Sequence, residues 1–170
     1  HEAGLHLLNE GASADRIHQV GDVMLDVALR HGARVTPDGG VLGRLREEHG
    51  IRAGEYCLAT IHRAENTDDP VRLTTIVDAL SRFASDINVV LPLHPRTRST
   101  LAKQGKLKAL QNAVIVLDPL GYLPMVQLEK YAAIIATDSG GVQKEAFFHG
   151  VPCVTLRDET EWTEVVDAGW

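Results

Sequence analysis

Long apolar runs are missing from this 170-residue chain. None approaches the roughly 18 residues of a membrane span, and the N-terminus lacks the basic and apolar regions of a signal peptide. Blocks of like charge are missing too, although 24% of residues are charged. Leu, Val, Ile and Ala recur along the whole length instead, which argues against disorder and for one globular domain with a real core. Cysteine is scarce: Cys57 and Cys153 are the only two, and both sit in apolar runs without a CxxC or His-rich neighbour. That excludes a disulfide scaffold and a zinc site, and points to buried thiols in a reducing, cytoplasmic compartment. Positive charge is in deficit, with a net charge of −6 and a pI near 5.7. A nucleic-acid backbone is therefore not the expected partner, while a local anion site is still allowed. The chain opens at His1 without an initiator Met and closes at Trp170 straight after a glycine, as a piece of a longer protein would.

Several chemistry-bearing motifs are absent as well. The GGVLG stretch at 39–43 follows a Pro-Asp turn and lacks the spacing of a dinucleotide-binding loop. Lys103 and Lys106 have no Walker A context, and the His1-Glu2 pair meets Leu5 where a zincin helix needs its second His. Thr137 stands two residues before Ser139, so there is no G-x-S-x-G elbow. NAD binding, NTP hydrolysis, zinc proteolysis and α/β-hydrolase chemistry all lose ground.

What is present is a regular alternation. Continuous apolar runs at 56–61 (YCLATI), 89–93 (VVLPL), 114–117 (VIVL), 133–137 (AIIAT) and 153–156 (CVTL) read as strands, with a shorter one at 17–20 ending on Gly21. Continuous rather than alternating hydrophobicity suits parallel strands covered on both faces. Between them, 70–84 carries Leu73, Ile76, Val77, Leu80 and Phe83 at helical spacing behind a first-turn Pro70. Stretches 122–131, 141–149 and 161–168 read as helices too, and TPDGG at 36–40 as the clearest loop. The rhythm implies right-handed βαβ units in one doubly wound parallel α/β domain.

Ligands of such sheets bind beyond the carboxyl ends of the strands. There the predicted strands are followed by His62, Arg63, Glu65 and Asn66; by His94, Pro95, Arg96 and Arg98; by Asp138, Ser139, Gly140 and Gly141; and by Arg157, Asp158, Glu159 and Thr160. The run ending at Leu117 is the exception, with Asp118 and Pro119 after it. The amino ends are ordinary solvated turns. This one-sided supply of His, Arg, Ser and Gly suits phosphate.

The sharpest signal is DSGGVQKE at 138–145. A strand runs into Ser-Gly-Gly and a helix starts at once, offering free N–H groups and a partial positive charge to an anion. Ser139 either caps that helix or donates to a phosphate oxygen. Glu145, one turn on from Gly141, either accepts both hydroxyls of a ribose or is a surface residue compensating the helix dipole. His62, followed by Arg63 and on the same predicted sheet edge as Ser139, favours a phosphate contact or an acid–base role over a structural one. His94 before Pro95 is as readily a wall residue of the site as a ligand contact.

Taken together, TIHRAEN at 60–66, LPLHPRT at 91–97, YLPMV at 122–126, TDSGGVQKEA at 137–146 and VTLRDETE at 154–161 resemble the non-hydrolysing UDP-N-acetylglucosamine 2-epimerases. The ordered match begins near Ile17 and covers most of the chain, as the C-terminal half of such an enzyme. The resemblance implies a Rossmann-like sheet forming the C-terminal domain of a two-domain glycosyltransferase-B fold. Residues 1–170 would then be a single nucleotide-binding domain without the N-terminal catalytic one. It further implies that Ser139, Gly140 and Gly141 bind the diphosphate, that Glu145 takes the ribose, and that Leu120 and Met125 flank the uracil. His62 would be a catalytic residue beside the phosphates, with Arg63 and His94 adding contacts to UDP. Met125 stands where the family usually has an aromatic, and Trp162 where the bacterial N-acetylglucosamine enzymes typically have Arg after Thr-Glu. The second departure resembles a subgroup acting on related UDP-sugars, including the 2,3-diacetamido-glucuronic acid form. The HEAGL pentapeptide only superficially matches a family segment of the other domain, so Glu2 receives no catalytic role.

The implied reaction removes the C2 proton with loss of UDP, forms a glycal, and re-adds UDP and a proton so that C2 ends inverted. No cofactor and no metal are called for, and the partners implied are a UDP-sugar and, for the full-length protein, a second copy in a homodimer. This half would stabilise departing UDP but lacks the full acid–base set, so alone it is expected to be inactive. A sugar transferase of the same fold, a non-catalytic UDP-sugar sensor and a plain structural domain stay open as alternatives.

Overall fold

The computed structural model describes residues 2–170. After helix α1 (Glu2–Asn9) and a short 3-10 turn at Ala14–Arg16 come α2 (Val23–Gly32) and α3 (Gly40–His49). Strand β1 (Tyr56–Thr60) leads through α4 (Ala64–Thr67) and α5 (Pro70–Phe83) to β2 (Asn88–Pro92). Helices α6 (Pro95–Lys103) and α7 (Leu107–Ala113) precede β3 (Ile115–Leu117), and α8 (Tyr122–Lys130) precedes β4 (Ile134–Thr137). Helix α9 (Gly140–His149), β5 (Cys153–Thr155) and α10 (Thr163–Asp167) complete the order.

The five strands form one parallel sheet in the order β3-β2-β1-β4-β5. The chain builds outward from β1 on one side and returns beside it with β4 on the other, so the switch point lies between β1 and β4. Every residue of β1 is buried, because alternate side chains enter different layers. Cys57 and Ala59 join Leu73, Val77 and Leu80 of α5 with Leu101 and Leu110. Tyr56 and Leu58 join Leu42 and Leu45 of α3, Leu128 of α8 and Ala146 of α9. Each fully buried Leu or Val here contributes about 1.5–3 kcal/mol.

Local signals explain the helices. Asp69 accepts the Val71 and Arg72 N–H groups at 2.8 and 3.2 Å, and Pro70 fills the first turn of α5. Helix α9 ends at Gly150, whose φ of 68° lets the Val151 N–H return to the Ala146 carbonyl at 2.9 Å.

One predicted strand is absent. Residues 17–20 are extended but pair with nothing, and Val20 is 84% exposed; two apolar residues beside a polar turn bury too little to hold a sixth strand. The last helix starts at Thr163 rather than Glu161, because Glu161 is drawn into ion pairs with Arg63 and Arg157. Helix α9 starts at Gly140 rather than Gly141, while α2, α3, α4, α6 and α7 are helices the sequence pattern does not announce. The TPDGG loop closes at Gly39, and Gly40 opens α3 at a φ of 60°. A Cβ on Gly40 would come within 2.7 Å of Gln127 Oε1, the acceptor that holds the Val41 N–H. Both thiols are free; Cys57 is buried, whereas Cys153 on the edge strand is only half-buried. Glu2 opens a helix, and the expectation for His1 lies outside the described residues.

Candidate functional site

The site assembles where β1 and β4 end side by side. Thr60 and Thr137, the last residues of those strands, hydrogen-bond to each other through their hydroxyls. One residue further, Asp138 is wholly buried, and its carboxylate organises the turn after β1. It accepts the His62 N–H at 3.0 and 3.1 Å, the Arg63 N–H at 2.9 Å and the Asn66 amide at 3.1 Å. The His62 imidazole Nδ1 lies 3.4 Å from the same carboxylate, and the ring stays half-exposed. Charge-assisted bonds of this kind are stronger than neutral ones, so the backbone at His62 and Arg63 is firmly placed.

Ser139 caps α9, its hydroxyl accepting the Val142 N–H at 3.4 Å. The first-turn N–H groups of a helix have no intrahelical acceptor, so this end offers donors and partial positive charge to an anion. Gly140 permits a close approach: a Cβ there would lie 3.1 Å from Glu161 Oε2, 3.2 Å from Trp162 Nε1 and 3.5 Å from Arg63 Nη2, so the first two would have to give by a few tenths of an ångström. The Trp162 indole N–H donates to the Gly140 carbonyl at 2.7 Å. The Lys144 ammonium sits 4.0 Å from the centre of the Trp162 ring and 2.6 Å from Asp22 Oδ2. That bond to Lys144 leads the causes that hold the Asp22 carboxyl below its usual range. Around the rim, Arg157 bonds both Glu161 and Glu65, which raises its own pKa and lowers that of Glu161.

Glu145 lies further along α9, 9% exposed, and accepts the Tyr122 hydroxyl at 2.7 Å. Burial pushes its carboxyl up, and the Tyr122 bond pulls it back. On α8, Glu129 is 1% exposed with Oε2 unpartnered. Burial first and the Glu145 charge second push its carboxyl up to about 8.

The structure thus brings His62, Arg63, Ser139, Gly140 and Gly141 together at one crossing. Leu120 and Met125 bracket the start of α8, the helix that carries Tyr122 to Glu145, and both pack half-buried on the second core cluster. A cavity of about 220 Å³ opens beside Leu120, between the loop after β3 and helix α3. His94 is on the same sheet edge but one strand away, where its Nδ1 caps α6 by accepting the Arg96 N–H at 3.2 Å. Thr97 ties that helix to the end of β1 through the Ile61 carbonyl at 2.9 Å.

Sequence reasoning noticed Asp138 at its strand end without giving it a task. The available signal was a carboxylate directly after a fully buried strand. Tyr122, Glu129 and Lys144 carry no comparable signal, since their roles depend on which helices touch. Among the described residues, no group of three or more His, Cys, Asp or Glu side chains could hold a metal ion. The assembled groups are fitted to grip an anion and to stabilise growing negative charge on it.

Comparison with known proteins bears on the family and the fold. The sequence profile of the UDP-N-acetylglucosamine 2-epimerase family matches residues 1–170. A UDP-2,3-diacetamido-2,3-dideoxy-D-glucuronate 2-epimerase of Pseudomonas aeruginosa is 51% identical over 167 residues, which are 96% of this chain and 44% of that protein. The UDP-GlcNAc 2-epimerase of Methanocaldococcus jannaschii, solved in complex with UDP-GlcNAc and UDP, superposes with a TM-score of 0.83 at 36% identity; the match covers 97% of this chain and 46% of that one. The Neisseria meningitidis UDP-GlcNAc 2-epimerase bound to UDP-GlcNAc gives 0.76 at 30%, covering 99% and 46%. The chain spans about half the length of the curated relatives it matches.

Proposed function

Because the chain belongs to the UDP-N-acetylglucosamine 2-epimerase family, we propose that it is the nucleotide-holding half of an isomerase that inverts C2 of a UDP-sugar. The observation that carries this reading is the Asp138-organised crossing, which sets His62 and Arg63 beside the Ser139–Gly140–Gly141 end of α9. Ser139, Gly140 and Gly141 take the diphosphate, Glu145 the ribose hydroxyls, and Leu120 and Met125 the faces of the uracil. Arg63 and His94 add contacts from the neighbouring strand ends. His62 serves as the catalytic residue of this half, next to the phosphates.

The reaction is proton removal from C2 with cleavage of the C1–oxygen bond to UDP, then re-addition of UDP at C1 and of a proton at the opposite face of C2. Charge grows on UDP as it departs, and donors fixed in place stabilise the departing diphosphate more than the less charged diphosphate of the bound sugar nucleotide. The carboxylates that handle the C2 proton come from a second domain, of a glycosyltransferase-B architecture, not contained in residues 1–170. UDP-N-acetylglucosamine is the first substrate to test. Trp162 and the 51% identity to the Pseudomonas aeruginosa enzyme favour a second, the 2,3-diacetamido-glucuronate form.

No described helix is long and apolar enough to cross a membrane. Burial raises the thiols to about 12 at Cys57 and about 11 at Cys153, so both stay in the unreactive thiol form; the cytoplasm is the compartment proposed for the enzyme. A homodimer is the expected state of the intact enzyme, to be checked by light scattering. The decisive experiment incubates the intact protein with each UDP-sugar in deuterium oxide, without an acceptor. Epimer carrying deuterium at C2 is the expected product. Turnover only with a sugar acceptor would favour a transferase, and tight UDP-sugar binding with no exchange a sensor.

A further inference from the structure

Two carboxyl groups are buried where α8 meets α9, and their surroundings differ. Glu145 keeps 9% of its surface and receives the Tyr122 O–H at 2.7 Å. Glu129 keeps 1%, has Oε2 unpartnered, and among the described residues takes part in no ion pair. The groups around them supply no cation at close range. Tyr56 of β1 faces Glu129 but spends its hydroxyl on the Leu128 carbonyl at 2.7 Å. His31 of α2 stands edge-on to Tyr122 at 5.3 Å, with its Nδ1 unpartnered. Lys130 turns away to the Gly32 carbonyl at 2.7 Å, Lys144 to Asp22, and His149 packs beside Gly32.

Burial and the charge of Glu145 both push the Glu129 carboxyl up, so ionising the two together is unfavourable and the pair is expected to hold one proton. The side that owns a hydrogen-bond donor keeps the charge, because a bond to the ionised form favours it. We infer that Tyr122 is a positioning residue: its hydroxyl places the one negative charge of the pair on Glu145 and leaves the proton on Glu129. The inference rests on the reading of Glu145 as the acceptor for a ribose. An ionised carboxylate accepts from two hydroxyls, whereas a carboxylic acid must turn one oxygen into a donor. Tyr122 is 42% exposed, so its phenol reaches Glu145 from the solvent side and also fixes the carboxylate rotamer. The burial of Glu129 agrees with this placement, since a protonated carboxyl tolerates it far better than a carboxylate.

The test is calorimetric titration of the intact protein with UDP and with 2′,3′-dideoxy-UDP, from pH 6 to pH 9. The quantity read is the ratio of the two affinities. Glu145→Gln should lower that ratio about tenfold, which checks the ribose reading alone. Tyr122→Phe should lower it about three- to tenfold at pH 7, because the proton is then shared between the carboxyls. The loss should fade towards pH 9 as the shared proton leaves, and Tyr122→Phe/Glu129→Gln should restore the ratio at pH 7. A ratio that collapses in Glu145→Gln but not in Tyr122→Phe overturns the inference and spares the ribose reading. A Tyr122→Phe loss that persists at pH 9 and is not rescued overturns it too, leaving Tyr122 a packing residue. No UDP binding, or no change in Glu145→Gln, overturns the ribose reading and the inference with it.

Discussion

Asp138 and Glu129 are both acidic, both essentially inaccessible, and both sit beside the same candidate site. At the end of β4, Asp138 accepts two backbone N–H groups and an amide. At the α8–α9 contact, Glu129 has an unpartnered Oε2 and lies under the influence of the Glu145 charge. Burial alone is therefore no guide to role; the number of donors converging on the carboxyl is. The strand ends are a rigid mould for the backbone of His62 and Arg63. The helix contact is an adjustable place where a proton is stored.

The largest expected effect attacks the mould. Asp138→Ala strands three buried or half-buried donors and should cost about 3–5 kcal/mol, read by denaturant unfolding of the intact protein. A cost under about 1 kcal/mol would remove the contrast between the two regions.

Glu129→Met tests the other side. An acid whose pKa rises on folding stabilises the fold fully below its unfolded value, and that contribution is lost as the pH climbs through the folded one. For Glu129 the window runs from 4.5 to about 8. Methionine should therefore raise stability by roughly 2–4 kcal/mol above the upper limit and change little below the lower one. Melting temperatures of both proteins at pH 4.5 and pH 8.5 decide it, and a gain equal at both values would contradict the stored proton.

Smaller effects distinguish ligand contacts from scaffolding. Ser139→Ala removes the cap of α9, costs about 1 kcal/mol of stability, and should weaken UDP and inorganic pyrophosphate by the same factor. Unequal losses would mean that the hydroxyl reads more than phosphate. Trp162→Phe keeps a ring over Lys144 but deletes the N–H that holds the Gly140 carbonyl. The expected loss of UDP affinity is about 0.5–1.5 kcal/mol, seen as a calorimetric difference. If that variant binds UDP unchanged but alters the preference between UDP-sugars, Trp162 reads the sugar rather than bracing the glycine turn.

Much of this was legible in the residues. Five apolar runs became five parallel strands because each is short, continuous and bounded by turn chemistry, which is local information. DSGGVQKE announced a strand, a cap and a helix for the same reason. The run at 17–20 misled because a strand also needs a partner, and no property of Ile17 or Val20 reports one. His62 and Ser139 could be placed on one sheet edge from the strand-end rule. That Asp138 reaches back 76 residues to the His62 N–H depends on β1 and β4 being neighbours.

The amino-acid order alone was enough for the fold class, for the edge of the sheet that carries polar groups, and for the family. The first two follow from periodicity and turn residues, properties of neighbours along the chain; the family follows from the resemblance of its ordered motifs to known sequences. The fates of Asp138, Glu145 and Glu129 were settled by packing. An acidic side chain means different things with three donors, with one, or with an oxygen left unpartnered, and the chain acquires those donors when distant segments meet.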